Sequence, residues 1–556
     1  MAELIVIQDS MSDSTLEQHV ERKYFIEIPD SNAEVYNQSQ IKWSTNQLTS
    51  SPDYNSARES EFLIPYSVDL TSSSNLSNGE LALTLKNSVM DVVNSMIVKL
   101  NGTTVVDASD YSNIYYNWKL ANETSKSSLP FLQNKLLFGG INNGELKYNA
   151  AASDSGIGES MNIVENLVSH DGNNLSIAPV SAANQVNTAF LTRASMTGFN
   201  PASTNNNLYI DAAKCTETRT SHYLSVDAKQ KIYHLMITIP LDQFSFFKNM
   251  PLTRGSMFNI DLRCHTVSEI TFPNTFTAAV SDTNVASNTF GKPSIVSTQY
   301  GFNPLMIASD SLCKPAADGT ISIKTGIGSV NGVVSPFGKK CYLRACMYKF
   351  ESKFEQEYSS IHKKVFHYEN IRMQPFYGVN PNNVNLMIST NQSKLTGVLI
   401  QTCLSRTINN LTSPATTTGS GTVSTLESPY TPSLCMKHSN MWTNVNIKLG
   451  GRNYYPENLN YSYQFYQDAI KNLLINGGMT PELGSGLVSE SDFNNSYGFL
   501  YFDFNKLKTD QAEWVLGKSL EFTGRLNTKA ALIDINAFYV YENELEINPS
   551  TSQLIL

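Results

Sequence analysis

The sequence predicts an all-β protein with short helices, organised as two tandem copies of one sandwich unit. Three observations carry this. Short apolar runs of period two recur between clusters of Ser, Asn, Gly and Pro, the pattern of half-buried strands. A strand, a glycine turn and a helix follow one another near residue 100 and again near residue 450. A strand, a loop and a strand follow one another near residue 240 and again near residue 510, so two internal repeats occur in the same order.

Length and composition agree with this reading. A chain of 556 residues fits two large all-β sandwiches of roughly 200 to 250 residues each. Charged residues are 16% of the chain, against about 25% in an average globular domain, and Asn, Ser and Thr fill the polar positions. Aromatic residues, nearly all Tyr and Phe, reach 10%. Tyr, Phe, Val, Ile and Thr suit a pleated surface, and Asn and Ser supply turn geometry.

The formal net charge of -9 argues against direct packaging of nucleic acid, which needs clustered Lys and Arg to displace counterions. Seven scattered cysteines (Cys215, Cys264, Cys313, Cys341, Cys346, Cys403 and Cys435) are odd in number and form no CxxC pair. They read as a reducing compartment rather than a disulfide framework. The opening apolar run Leu4–Ile7 is too short for a signal peptide, and no segment approaches the ~20 apolar residues of a membrane span. Folding and assembly inside a cell are therefore expected, where sequons at Asn101 and Asn410 meet no glycosylation machinery.

Residues 1–40 read as an N-terminal arm. Glu3, Asp9, Asp13, Glu17, Glu21, Glu27, Asp30 and Glu34 outnumber Arg22 and Lys23, and no strand period is clear before Tyr24–Ile28. The first sandwich is expected over 41–350, with early strands in 61–70, 80–87 and 95–106. In the last of these Ile97, Lys99 and Asn101 face one way and Val98 and Leu100 the other. Asn101-Gly102 is a strong hairpin signal. A helix follows, with Ile114, Trp118 and Ala121 on one face and Ser109 or Asp110 placed to cap its start. Residues 139–210 and 273–340 are dense in Asn, Ser, Gly, Thr and Ala and read as long loop insertions that form a tower.

The second sandwich is expected over 351–547, with 548–556 as a C-terminal tail. Residues 444–455 give a strand with a Gly450-Gly451 turn, then a helix over 459–478 ended by Gly477-Gly478. Its apolar rows are Phe465, Ala469, Leu473 and Tyr466, Ile470, Leu474. The distances from Gly102 to Tyr111 and from Gly451 to Tyr461 differ by one residue. Residues 498–527 answer 231–264, with Leu520 and Phe522 set against Ile260 and Leu262. Trp118 and Phe465 are expected as buried anchors that lay each helix across the end of its own sandwich.

Taken in order, these segments resemble a known family. The runs SMIVKLNGTTVVDASDYSNIYYNWKLANETS and ITIPLDQFSFFKNMPLTRGSMFNIDL, and the closing series ELGSGLVSESDF, GFLYFDFNK and INAFYVYENELEI, resemble major capsid proteins of polinton-like viruses and virophages. The likeness extends over most of residues 40–547 and rests on the order of the motifs. It implies a double jelly-roll: two tandem eight-stranded jelly-roll sandwiches, side by side, with long loop insertions in the first. It further implies a homotrimer forming a pseudo-hexagonal capsomer of an icosahedral DNA virus shell. Neighbouring capsomers, penton and minor capsid proteins would be its partners and the virion its location.

Such a protein is structural and not an enzyme. The acidic balance predicts no direct sequence-specific nucleic acid binding, and a membrane or minor proteins between shell and genome. A β-rich viral attachment fibre or carbohydrate-binding protein is the alternative, and the duplication favours the wall. A sandwich glycoside hydrolase would need two carboxyls about 5 to 10 Å apart in a cleft.

No catalytic, cofactor-binding or metal-ligating residue is assigned, and no cofactor is expected. His362 and His367, Cys341 and Cys346, and the adjacent Cys264-His265 each have an odd separation, which puts partners on opposite faces of a strand. The stretch GIGSVNG at 326–332 has Asn331 where a dinucleotide fingerprint needs its third glycine, and reads as a flexible loop. No GxSxG, HExxH or Walker A sequence occurs. Glu542, Glu544 and Glu546 share one face of the last strand and read as a solvated or interface-facing strand edge.

Overall fold

A computed structural model describes residues 19–73, 81–125, 128–141, 229–273, 302–309, 320–390, 394–404, 442–471, 499–504, 519–526 and 532–554, with shorter pieces between them. The first sandwich consists of β1 (Val20–Pro29), β2 (Gln40–Ser44), β3 (Tyr54–Ser72), β4 (Val93–Leu100), β5 (Thr103–Ala108), β6 (Gln230–Pro240), β7 (Phe258–Cys264) and β8 (Tyr342–Phe350). One antiparallel sheet runs β1–β8–β3–β6 and the other β2–β7–β4–β5.

The second sandwich consists of β9 (Lys364–Val379), β10 (Val384–Ile388), β11 (Leu395–Leu404), β12 (Trp442–Leu449), β13 (Arg452–Asn453), β14 (Leu500–Asp503), β15 (Leu520–Leu526) and β16 (Ile533–Ile547). Its sheets run β9–β16–β11–β14 and β10–β15–β12–β13. Adding eight to every strand number of the first sandwich reproduces the second. The repeats seen in the sequence are one topology used twice.

Alternation builds both copies. Phe258, Ile260, Leu262 and Cys264 turn inward in β7, and Leu520, Phe522, Gly524 and Leu526 do so in β15. Leu100 pairs with Phe258, and Leu449 with Leu520, so Phe258 answers Leu520. The sequence alignment that set Ile260 against Leu520 is two residues out. A slip of two leaves every side chain on its own face, so the alternation concealed it. Leu262 is answered by Gly524, where the Trp442 ring takes the room: a Cβ at Gly524 would stand 3.0 Å from the indole.

The two hairpin turns also match. Asn101 and Gly102 have φ of 49° and 88°, and Gly450 and Gly451 have φ of 58° and 83°. Positive φ at both central residues gives the turn whose twist fits the flanking strands.

The expected arm over 1–40 is corrected at its inner end. β1 pairs from Val20 to Pro29 with Phe350 to Tyr342, so the first sandwich starts before residue 41. Of the charges that suggested an arm, Glu21, Arg22, Lys23 and Glu27 lie exposed on an edge strand: Glu21 pairs with Lys349 at 2.9 Å and Lys23 with Glu59 at 3.1 Å. Charges on an edge discourage pairing with foreign strands. Residues 1–18 lie outside the described residues.

The second insertion leaves beyond the Ser72 end of β3, where Ile270–Pro273 pairs with Thr320–Ile323. The tower expected over 139–210 lies almost wholly outside the described residues. Part of 273–340 is strand rather than loop. Thr320–Ile327 pairs with Tyr66–Ser72, lengthening the sheet beyond β8. The GIGSVNG stretch is corrected too: Ser329–Val330 pairs with Val333–Val334 around Asn331-Gly332, the same turn signal as Asn101-Gly102. One cluster of buried apolar residues extends through both sandwiches.

Candidate functional site: the seam between the sandwiches

His362 is exposed and precedes β9, while His367 is exposed on it and pairs with Glu542 at 3.0 Å. Lys394 pairs with Glu544 at 3.2 Å and Lys363 with Glu546 at 2.7 Å. The three glutamates, expected on a strand edge, lie where β16 still pairs with β9 but has run past β11, whose register ends at Tyr541. They form a cross-strand ladder with cations of neighbouring segments.

Cys264, Cys341 and Cys346 are buried free thiols. Burial and the neighbouring Glu59 carboxylate push the Cys346 thiol up to about 12, so it is no nucleophile at neutral pH. His265 is buried, and its Nε2 donates to Asn113 Oδ1 at 3.1 Å. Burial, with Arg263 and Lys86 nearby, lowers its pKa to about 3, and the ring is neutral. It lines a recess of about 370 Å³ with Tyr111, Phe302 and an Arg263–Asp110 pair at 3.7 Å. Among the described residues no three His, Cys, Asp or Glu side chains gather to hold a metal.

The dense chemistry lies instead between the sandwiches. Helix α1 (Ser112–Glu123) follows β5, and α4 (Tyr463–Lys471) follows β13; between them in sequence lie α2 (Ser245–Asn249) and α3 (Ser352–Ser359). Trp118 on α1 is fully buried and stacks on Tyr501 of β14 at 4.8 Å between ring centres. Its Nε1 donates to Tyr466 Oη on α4 at 3.1 Å, and that hydroxyl donates back to Asn122 Oδ1 at 2.6 Å.

Helix α1 therefore packs on the other sandwich, not solely on its own. Phe465 is also corrected as an anchor: it is half-buried against Tyr455, while Tyr466 is fully buried. Tyr466 is the anchor because its hydroxyl serves two buried polar groups that a Phe could not. Gly397 of β11 completes the socket, since a methyl there would overlap the Tyr501 hydroxyl.

Strand β9 runs beside β5 along the same seam. Ser109 and Asp110, expected to cap α1, do other work. Ser109 donates its N–H to Ile371 O at 3.3 Å, and its Oγ accepts from Met373 N–H at 2.6 Å. The start of α1 has no side-chain cap; Tyr111 N–H donates to Asn94 Oδ1 at 2.8 Å. Tyr368 Oη donates to Val105 O at 2.8 Å, Arg372 pairs with Asp107, and Phe246 of α2 packs on Phe366 and Tyr368. Lys119 lies 2.9 Å from Glu369 and 3.6 Å from Glu123. Burial would lower its pKa, but the two carboxylates outweigh that and raise it. The ammonium stays charged within the seam.

At the insertion end, Leu426 O accepts from Lys86 Nζ at 3.1 Å and from Asn303 N–H at 2.9 Å. Asp91, its pKa raised by burial, accepts from Asn117 Nδ2 at 2.9 Å and from the Asn87 and Ser88 N–H groups. Buried polar groups committed to such partners hold chain segments in place. The sequence offered the Tyr466 row as one of two, but nothing local marked Tyr501, Asn122 or Gly397.

No protein-family model matches the sequence, and no curated protein matches it. Among solved structures it is similar to the Sputnik virophage determined by cryo-EM, with a TM-score of 0.52 at 9% identity. That alignment covers 97% of this chain and 88% of the other, so the pair of sandwiches is shared, not one alone. The fold is a double jelly-roll. The double jelly-roll also aligns with mavirus major capsid protein, with a TM-score of 0.46 at 10% identity over 96% of this chain and 89% of that one. Faustovirus major capsid protein gives 0.44 at 10% identity, over 94% and 90%.

Proposed function

We propose that this chain is a major capsid protein, a non-enzymatic wall subunit of an icosahedral DNA virus. The observation that carries the reading is the fusion of two sandwiches of identical strand order through one core and a polar seam. A block of this kind has a geometric task. Three copies supply six similar sandwiches, enough for a pseudo-hexagonal capsomer. The chain acts as a homotrimer in the virion, bordered by neighbouring capsomers, penton and minor capsid proteins. No catalytic, cofactor or metal site and no sequence-specific contact with nucleic acid belong to this role.

Light scattering on the purified chain tests the reading. The expected mass at micromolar concentration is three chains, held by contacts of more than ~2,000 Å² as in obligate assemblies. A monodisperse monomer contradicts it.

A further inference from the structure

We infer that Asn548–Leu554 is a clasp, docked on a site at the base of the first sandwich, that locks the two sandwiches together. After β16 the chain folds back: Asn548 N–H donates to Gln553 O at 2.9 Å, and Ile547 bridges Leu554. The bend lies against residues 253–257, the loop that leads into β7. Arg254 N–H donates to Pro549 O at 2.9 Å, and Ser552 Oγ donates to Arg254 O at 2.7 Å.

Ser552 is fully buried with φ of 54°, its Oγ 2.7 Å from Ser256 Oγ. Its carbonyl accepts from Asn101 Nδ2, and Asn101 Oδ1 accepts from Met257 N–H at 3.2 Å. One turn side chain thus ties the tail to the loop.

The linker joins the same junction. Arg254 pairs with Glu355 of α3 at 3.0 Å and lies over the Tyr54 ring. Tyr358 Oη donates to Leu252 O at 2.9 Å, and Ser550 Oγ donates to Ser359 O at 3.4 Å. Tail, linker and loop meet around Arg254, so the last segment of the second sandwich closes on the first beside the covalent connection. The tail is held through the Pro549 and Ser552 carbonyls and the Ser550 and Ser552 hydroxyls, and of these groups only the Ser552 side chain is fully buried. At Ser552 a small hydroxyl residue is required, because a larger side chain would enter a filled site in a backbone conformation that L residues disfavour. This inference does not rest on the shell reading.

The test compares the full chain with a chain ending at Ile547, by amide hydrogen exchange. Exchange at Arg254 is expected to rise at least tenfold on truncation, while Val98 in β4 and Leu399 in β11 are unchanged. A synthetic peptide of residues 548–556 should bind the truncated chain saturably, restore slow exchange and leave the full chain unbound. Equal exchange at Arg254 in both chains, or no peptide binding to the truncated one, overturns the clasp. Should truncation prevent folding, Ser552→Leu in the full chain gives the same readout. Faster exchange at Arg254 alone supports docking, and unchanged exchange refutes it.

Discussion

A hydroxyl at residue 466 satisfies two groups that would otherwise be buried without partners, the Trp118 indole N–H and the Asn122 carbonyl. Removing it in Tyr466→Phe should cost about 1–3 kcal/mol, the usual penalty for orphaned buried polar groups. Trp118→Ala should cost about 3–5 kcal/mol through the cavity it leaves, and the half-buried Phe465→Ala less than either. Melting temperatures of the three variants check the order; a Phe465→Ala variant weaker than Tyr466→Phe would restore the other helix face. His265 gives a test by pH. Its folded pKa, about 3, lies below the ~6.5 of an unfolded histidine. The unfolded chain therefore takes up the proton first, and stability falls between about pH 6.5 and about pH 3, by at most ~1.4 kcal/mol per unit. In His265→Gln that contribution vanishes, so the stability gap between native and variant should narrow from about pH 7 to about pH 5. Equal slopes in both proteins contradict a buried neutral ring. Trp118 was legible as an anchor because its helical spacing is local. The choice between Phe465 and Tyr466 was not, because it depends on Asn122, far away in sequence.

Strands with one dry face announce themselves by period, and β4, β7, β12 and β15 could be read in that way. Edge strand β1 shows its period only over Tyr24–Ile28, because Glu21, Arg22 and Lys23 before it imitate a charged arm. The distinction is testable. Removing residues 1–35 strips β1 from β8 and exposes a hydrogen-bonding edge, so that chain should melt lower and aggregate more than one lacking residues 1–18 alone. Equal behaviour of the two truncated chains would show that β1 contributes nothing to the first sandwich. The hairpin at Asn331-Gly332 was legible in principle, since its turn signal is the one recognised at Asn101. Its glycine spacing also imitates part of a dinucleotide fingerprint.

The whole molecule was visible in the sequence as a duplication, because repeated order survives where single motifs are degenerate. The seam was not visible. Trp118 with Tyr501, Lys119 with Glu369, and Ser552 with Arg254 join residues far apart in the chain, and no local period reports such contacts. Yet the seam turns two sandwiches into one block, and the proposed capsomer follows from that block. Cryo-electron microscopy of the purified chain tests this most directly. The account predicts three-fold particles with a pseudo-hexagonal base of six sandwiches, with the insertions of the first sandwich at one end. Isolated two-lobed monomers, or slender fibres, would contradict it.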